Sequence, residues 1–123
     1  MRKYFGLLLF VVIGCTGAKT YPVTGKVTWE GAPLVDGDIL FIPEDATLAS
    51  EGGKIKDGAF AFPARLGKKK VQIRAAKIDP TKKGPKGEES YVDYIPEKYN
   101  DQSTLTAEVT EQQKDFTFDL TQK

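Results

Sequence analysis

From Tyr21 onward, apolar residues recur at every second position. That period belongs to half-buried strands and leaves little room for helices, whose stripe repeats every 3.6 residues. Val23, Gly25, Val27 and Trp29 alternate with Thr24, Lys26, Thr28 and Glu30, which gives one dry face and one wet face. Gly31-Ala32-Pro33 then interrupts the run. Ile39-Leu40-Phe41-Ile42 is apolar at successive positions, as expected of a central strand covered on both faces, and Pro43 stops it. Asp57-Gly58 lies between Lys54-Ile55-Lys56 and Ala59-Phe60-Ala61-Phe62, a strong signal for a tight hairpin. Val71, Ile73 and Ala75 make a further strand, Leu105, Ala107 and Val109 another, and Phe116, Phe118 and Leu120 the last.

Short strands with turn signals about every ten residues predict an all-β fold: an antiparallel Greek-key β-sandwich of about seven strands. Val27, Trp29, Phe41, Phe60, Phe62, Ile73, Val109, Phe116 and Phe118 are its expected core. The segment 78–100 breaks the alternation. It opens with Pro80, Lys82, Lys83, Gly84, Pro85, Lys86 and Gly87 and turns acidic at Glu88-Glu89. Tyr91, Tyr94 and Tyr99 then follow close together. It reads as a long loop, and loops of this length in compact domains often carry function.

The residue types narrow the chemistry. Histidine is absent, which removes Ser-His-Asp and Cys-His catalysis and histidine-based metal sites. The single cysteine, Cys15, has no partner for an intrachain disulfide. Asp36, Asp38, Glu44 and Asp45 do not follow calcium-loop spacing and read as solvated turns, so no metal and no cofactor is expected. The 18 basic and 17 acidic residues nearly balance, so composition makes no case for nucleic acid. Lys68-Lys69-Lys70 with Lys77, Lys82, Lys83 and Lys86 concentrates positive charge. It reads either as a solvated face guarding an edge strand or as a contact for anionic headgroups and acidic envelope polymers.

The N-terminal residues have a separate logic. Arg2-Lys3 precedes an apolar run from Tyr4 to Ile13 that is broken only by Gly6. As a helix these ten residues would span about 15 Å, half a bilayer core, which suits a signal-peptide core better than a membrane span. Val12-Ile13-Gly14-Cys15 resembles the bacterial lipobox, with Ile13 departing from its usual small residue. The resemblance implies cleavage between Gly14 and Cys15 and diacylglycerol on the Cys15 thiol. Cleavage by the general signal peptidase near Thr16-Gly17-Ala18, or no cleavage at all, are the competing readings. The expected organisation is a lipoprotein signal peptide over 1–14, a tether over 15–20 and the sandwich over 21–123. Thr16 after the cysteine, by resemblance to lipoproteins of two-membrane bacteria, points to the outer membrane, facing the periplasm or the cell surface.

The phrase Val23-Thr24-Gly25-Lys26-Val27-Thr28-Trp29-Glu30-Gly31-Ala32-Pro33-Leu34 is similar to the opening of carboxypeptidase regulatory-like domains, which share the transthyretin (prealbumin-like) fold. Gly37 to Pro43 fits their second strand and Asp57-Gly58-Ala59-Phe60 their hairpin. Gly67 to Ile73 fits a later strand, with Lys69 where the family carries Tyr. Ile95-Pro96-Glu97-Lys98-Tyr99-Asn100, followed by Ser103-Thr104-Leu105, looks like short envelope lipoproteins of planctomycete-type bacteria. The family's ring-opening hydrolases need histidines and a C-terminal Tyr-Arg-Gly-Ser. This chain has neither. The expected function is therefore a non-catalytic binding or scaffolding module in the cell envelope. Its partners are membrane lipid through acylated Cys15 and another envelope protein or polymer, met by Tyr91, Tyr94 and Tyr99; the competing reading of these three rings is that they lid the sandwich end. The alternative is a binder of a small ligand or carbohydrate, with a pocket between loop and sheet.

Overall fold

The computed structural model describes residues 19–123. Gly14 and Cys15, and with them the expected cleavage and lipidation site, lie outside these residues. Among the described residues ten strands form in chain order: β1 (Thr20–Trp29), β2 (Ala32–Pro33), β3 (Asp36–Pro43), β4 (Glu51–Lys56), β5 (Ala59–Arg65), β6 (Gly67–Arg74), β7 (Ala76–Lys83), β8 (Glu89–Asp93), β9 (Thr106–Val109) and β10 (Asp115–Leu120). One 3-10 turn, Glu97–Tyr99, precedes β9. Thr20, the last residue of the segment expected as a tether, already pairs with Arg65 in β1.

Seven strands form one continuous path in the order β9-β6-β3-β4-β5-β1-β10, with β2 paired to β1 beside it. The run β6-β3-β4-β5 has the Greek-key order. The path curls at the β4–β5 hairpin, where only Lys56 and Ala59 pair across the ladder. Beyond that pair the strands splay, and the two halves of the sheet face each other as a sandwich. The turn is the expected one: Asp57 and Gly58 both have positive φ, 51° and 79°, the backbone of a type I′ hairpin. A second turn of this kind at Glu30 and Gly31 leads into β2. One pairing departs from the antiparallel expectation: β10 runs parallel to β1, from Asp115 opposite Thr24 to Leu120 opposite Trp29.

Alternation delivers the core. Val23, Val27, Phe41, Phe60, Phe62, Ile73, Val109 and Phe118 are buried, and Trp29 and Phe116 pack against them half-covered. Phe41 from one half meets Phe62 (centroids 4.9 Å apart), Phe116 (5.9 Å) and Phe60 (6.4 Å) from the other, all edge to face. Such pairs contribute about 0.5–1.5 kcal/mol each beyond the area they bury. Gly25 is required here, because a Cβ at that position would lie 2.3 Å from the Phe60 ring and 2.2 Å from the Phe116 carbonyl oxygen.

Two expectations are corrected. Ile39 to Ile42 is a central strand in pairing, yet only Ile39 and Phe41 are buried, and Leu40 points outward into solvent. The segment 78–100 is not an irregular loop. Most of it is a separate two-stranded arm, β7–β8, that pairs only with itself among the described residues. Ala76 faces Asp93, Lys77 faces Val92, Ile78 faces Tyr91 and Lys83 faces Glu89, with an irregularity between Ile78 and Lys83. The alternation cue fails there because the arm has no dry face: nearly every residue of it is exposed.

The two ends of the sandwich differ. At the near pole β1 begins, β5 ends, β6 begins and β3 ends, with Thr20 opposite Arg65 and Pro43 opposite Lys69. At the far pole β1 ends, β6 ends and the arm departs, with Asp38 opposite Arg74.

Candidate functional site

The outer face of β4-β3-β6 is laid out by register. Lys54, Asp38 and Arg74 form one cross-strand row, and Gly52, Leu40 and Gln72 form the next. Lys54 Nζ lies 2.8 Å from Asp38, and Arg74 pairs with Asp101 from the segment after the 3-10 turn. Gly52 brings no side chain, so Leu40 floors a groove of about 420 Å³ lined by Asp38, Gly52, Gly53, Lys54, Gln72 and Arg74. Through Asp38 and Lys54 it continues into a hollow of about 210 Å³ bounded by Asp36, Ala75, Ala76 and Tyr91. Both spaces are open and shallow.

The three tyrosines are not gathered into one patch. Tyr91 is 64% exposed and overhangs the hollow from β8. Tyr94 is half-buried, its ring 5.7 Å from Trp29 at 71°, and its amide donates to the Ala75 carbonyl at 3.1 Å. Burial, and then the carboxylate of Asp36, push its hydroxyl above the ordinary tyrosine range. Tyr99 faces elsewhere: its hydroxyl accepts the Thr121 amide at 3.1 Å, and Lys98 Nζ sits 5.1 Å from its ring. Burial alone would raise the Tyr99 hydroxyl, but the Thr121 hydrogen bond and Lys98 bring it below the ordinary value. Tyr94 and Tyr99 thus cover the far pole, and only Tyr91 reaches an open space.

The lysine run also divides. Lys68 and Lys70 point outward, whereas Lys69 is 2% exposed and lies 2.7 Å from Glu51 Oε1. The other oxygen of Glu51 takes the Arg65 amide at 2.8 Å and Arg65 Nη1 at 3.2 Å. Three strands, β4, β5 and β6, are thereby joined by one largely buried ionic cluster. Lys69 shares the parity of Val71 and Ile73, so strand period alone could have assigned it inward. The groove was announced by Gly52-Gly53, since paired glycines inside a strand mark missing side chains.

Asn100 and Ser103 hold the segment after the 3-10 turn. Asn100 Nδ2 donates to the carbonyls of Pro96 (3.1 Å), Ile95 (3.2 Å) and Ile73 (3.3 Å), and Ser103 Oγ donates to that of Val71. Of the acidic residues weighed for calcium, Asp38 pairs with Lys54, and Asp45 accepts the Thr47 hydroxyl and amide, which lower its carboxyl. No three His, Cys, Asp or Glu side chains gather around a metal-sized space among the described residues. No helix among them is long and apolar enough to cross a membrane.

No known family profile matches the chain. No characterised protein matches it in sequence. Among solved structures it is similar to a 9R-lipoxygenase from Cyanothece, at 11% identity and a TM-score of 0.41, over 89% of this chain and 18% of that one. At that distance the likeness says nothing about activity.

Proposed function

We propose that this chain is a lipid-anchored protein of the bacterial cell envelope whose sandwich is a non-catalytic binding or scaffolding module of the transthyretin-like, carboxypeptidase regulatory-like kind. The observation that carries the reading is the sequence Arg2-Lys3, an apolar run and Val12-Ile13-Gly14-Cys15, with the first described strand beginning at Thr20. The thiol is the strongest nucleophile such a segment offers. More than one acyl chain makes the attachment lasting, because each buried methylene contributes about 0.8 kcal/mol. Outer-membrane placement follows from Thr16 in the position where Asp would favour retention. The Gly-x-Pro opening and the Asp-Gly-x-Phe hairpin support the family assignment, and a chain without histidine supports a role other than hydrolysis. Cells grown with an alkyne fatty acid should yield labelled protein, and the label should vanish in Cys15→Ala. Wild-type protein without label, or label that persists in the variant, overturns the anchor.

A second reading, a binder of a small ligand or carbohydrate, is favoured by one feature. The exposed Tyr91 ring stands beside Asp36, Asp38 and Lys54, an aromatic face next to convergent polar groups. Calorimetric titration with envelope polysaccharide should then give heat that Tyr91→Ala abolishes. No heat with wild-type protein sends the groove back to a protein partner.

A further inference from the structure

Resting on the anchor reading, we infer that the near pole of the sandwich is a bilayer-docking surface, seated on the membrane that holds Cys15, and that the tyrosine-bearing arm is displayed away from it. The first argument is reach. Cys15 and Thr20 are five residue steps apart, and a fully extended chain covers at most about 18 Å in that span. The start of β1 must therefore stay within that distance of the headgroups. The ten residues of β1 then carry the chain about 30 Å to the far pole, where the arm leaves β6.

The second argument is what the near pole exposes. Leu48 and Leu66, 44% and 45% exposed, border one hollow with Pro43, Glu44, Asp45 and Lys68. They come from two different connections, β3–β4 and β5–β6, and neither is needed to close the core. Lys19 and Lys68 are exposed beside them, and Lys114 Nζ lies 5.4 Å from the Tyr21 ring. The carboxylates of this pole are Glu44, Asp45, Glu51, Glu108, Glu111 and Asp115; Glu51 is tied to Lys69 and Arg65, Glu108 stands opposite Lys68 across the β9–β6 pair, and Asp115 accepts the Thr24 hydroxyl. Asp45 is occupied by Thr47, and Glu111 accepts the Tyr21 hydroxyl at 2.9 Å. An exposed apolar pair with lysines at its border matches the boundary between headgroup and acyl chain, where leucine can enter and lysine can reach phosphate. Ile78, Tyr91 and Val92 are exposed as well, but on the arm at the far pole. The lysines of the arm are thus not the ones that meet the anchoring bilayer.

The test uses the chain from Cys15 to Lys123, which contains every described residue. It is coupled through the Cys15 thiol to a maleimide phospholipid in vesicles of phosphatidylcholine and phosphatidylglycerol. Hydrogen exchange should slow several-fold at 44–50, 65–69 and 111–114 relative to the free chain, while 77–92 is unchanged. Leu48→Glu with Leu66→Glu should restore the free-chain rates with the same tether in place. Protection on the arm, no protection at the near pole, or protection that survives both substitutions overturns the inference. Intact mass of the protein extracted from native envelopes reads acylation separately. An unmodified Cys15 there removes the anchor reading and leaves the vesicle result standing on its own.

Discussion

Glu51 serves two cations at once, and that asymmetry fixes what each substitution does. Removing the carboxylate leaves Lys69, 2% exposed, with no counter-charge, and Arg65 loses its partner too. Removing Lys69 leaves Glu51 still paired with Arg65. Glu51→Gln should therefore cost about 3 kcal/mol, the scale for breaking a buried pair, and Lys69→Met clearly less. Urea unfolding of both variants checks the order, and equal or reversed losses would count against the cluster. Tyrosine ionisation tests the far pole. Tyr99 should titrate before Tyr94 in alkaline absorbance, with Tyr99→Phe removing the earlier of the two steps. Because the folded value of Tyr94 is raised above its unfolded one, its contribution is complete below about pH 10 and fades as pH rises through the folded value. Tyr94→Phe should flatten that alkaline loss of stability.

At the scale of elements, the β4–β5 hairpin carries a burden beyond its own stability, since it is where the sheet bends into two layers. Gly58 has φ of 79°, and a Cβ there would sit 2.7 Å from the Pro33 Cβ. Gly58→Ala should cost about 1–2 kcal/mol for the left-handed backbone, and more for the contact. A thermal melt indistinguishable from wild type would show that the turn relaxes freely. This hairpin was legible in advance because Asp-Gly between alternating strands states both the turn and the register. The arm was not. Its strands bury no face, so periodicity had nothing to report, and its residues read as loop by their Pro, Gly and Lys content. In the sequence the β1–β2 turn shows only as an interruption at Gly31-Ala32-Pro33. The positive φ of Glu30 is what makes it a hairpin of its own.

For the molecule as a whole, the decisive pairing is the parallel one between β1 and β10. It joins residues about ninety positions apart, with Thr24 Oγ1 donating to Asp115 at 3.0 Å and Thr28 Oγ1 to Asp119 at 2.7 Å. Phe116, Phe118 and Leu120 complete the core from this strand. A chain stopped after Lys114 should lose cooperative thermal unfolding and bind a hydrophobic dye. A sharp melt in that truncation would mean that β10 merely decorates the sheet. Such long-range closure also predicts folding in milliseconds to seconds rather than microseconds, which stopped-flow fluorescence of Trp29 can follow.

The strand period, the inward aromatics and the Asp57-Gly58 turn are local patterns, and for that reason the sequence alone determined the all-β class and the core. What only the tertiary structure decided lies between residues distant in sequence. It paired Lys69 with Glu51, opened a groove beside Leu40 where Gly52 leaves space, and separated Tyr91 from Tyr94 and Tyr99. It also set the start of β1 and the root of the arm at opposite ends of the sandwich. Period tells a side chain which face to take; which strand lies opposite, and so what that side chain meets, is fixed only when the sheet closes.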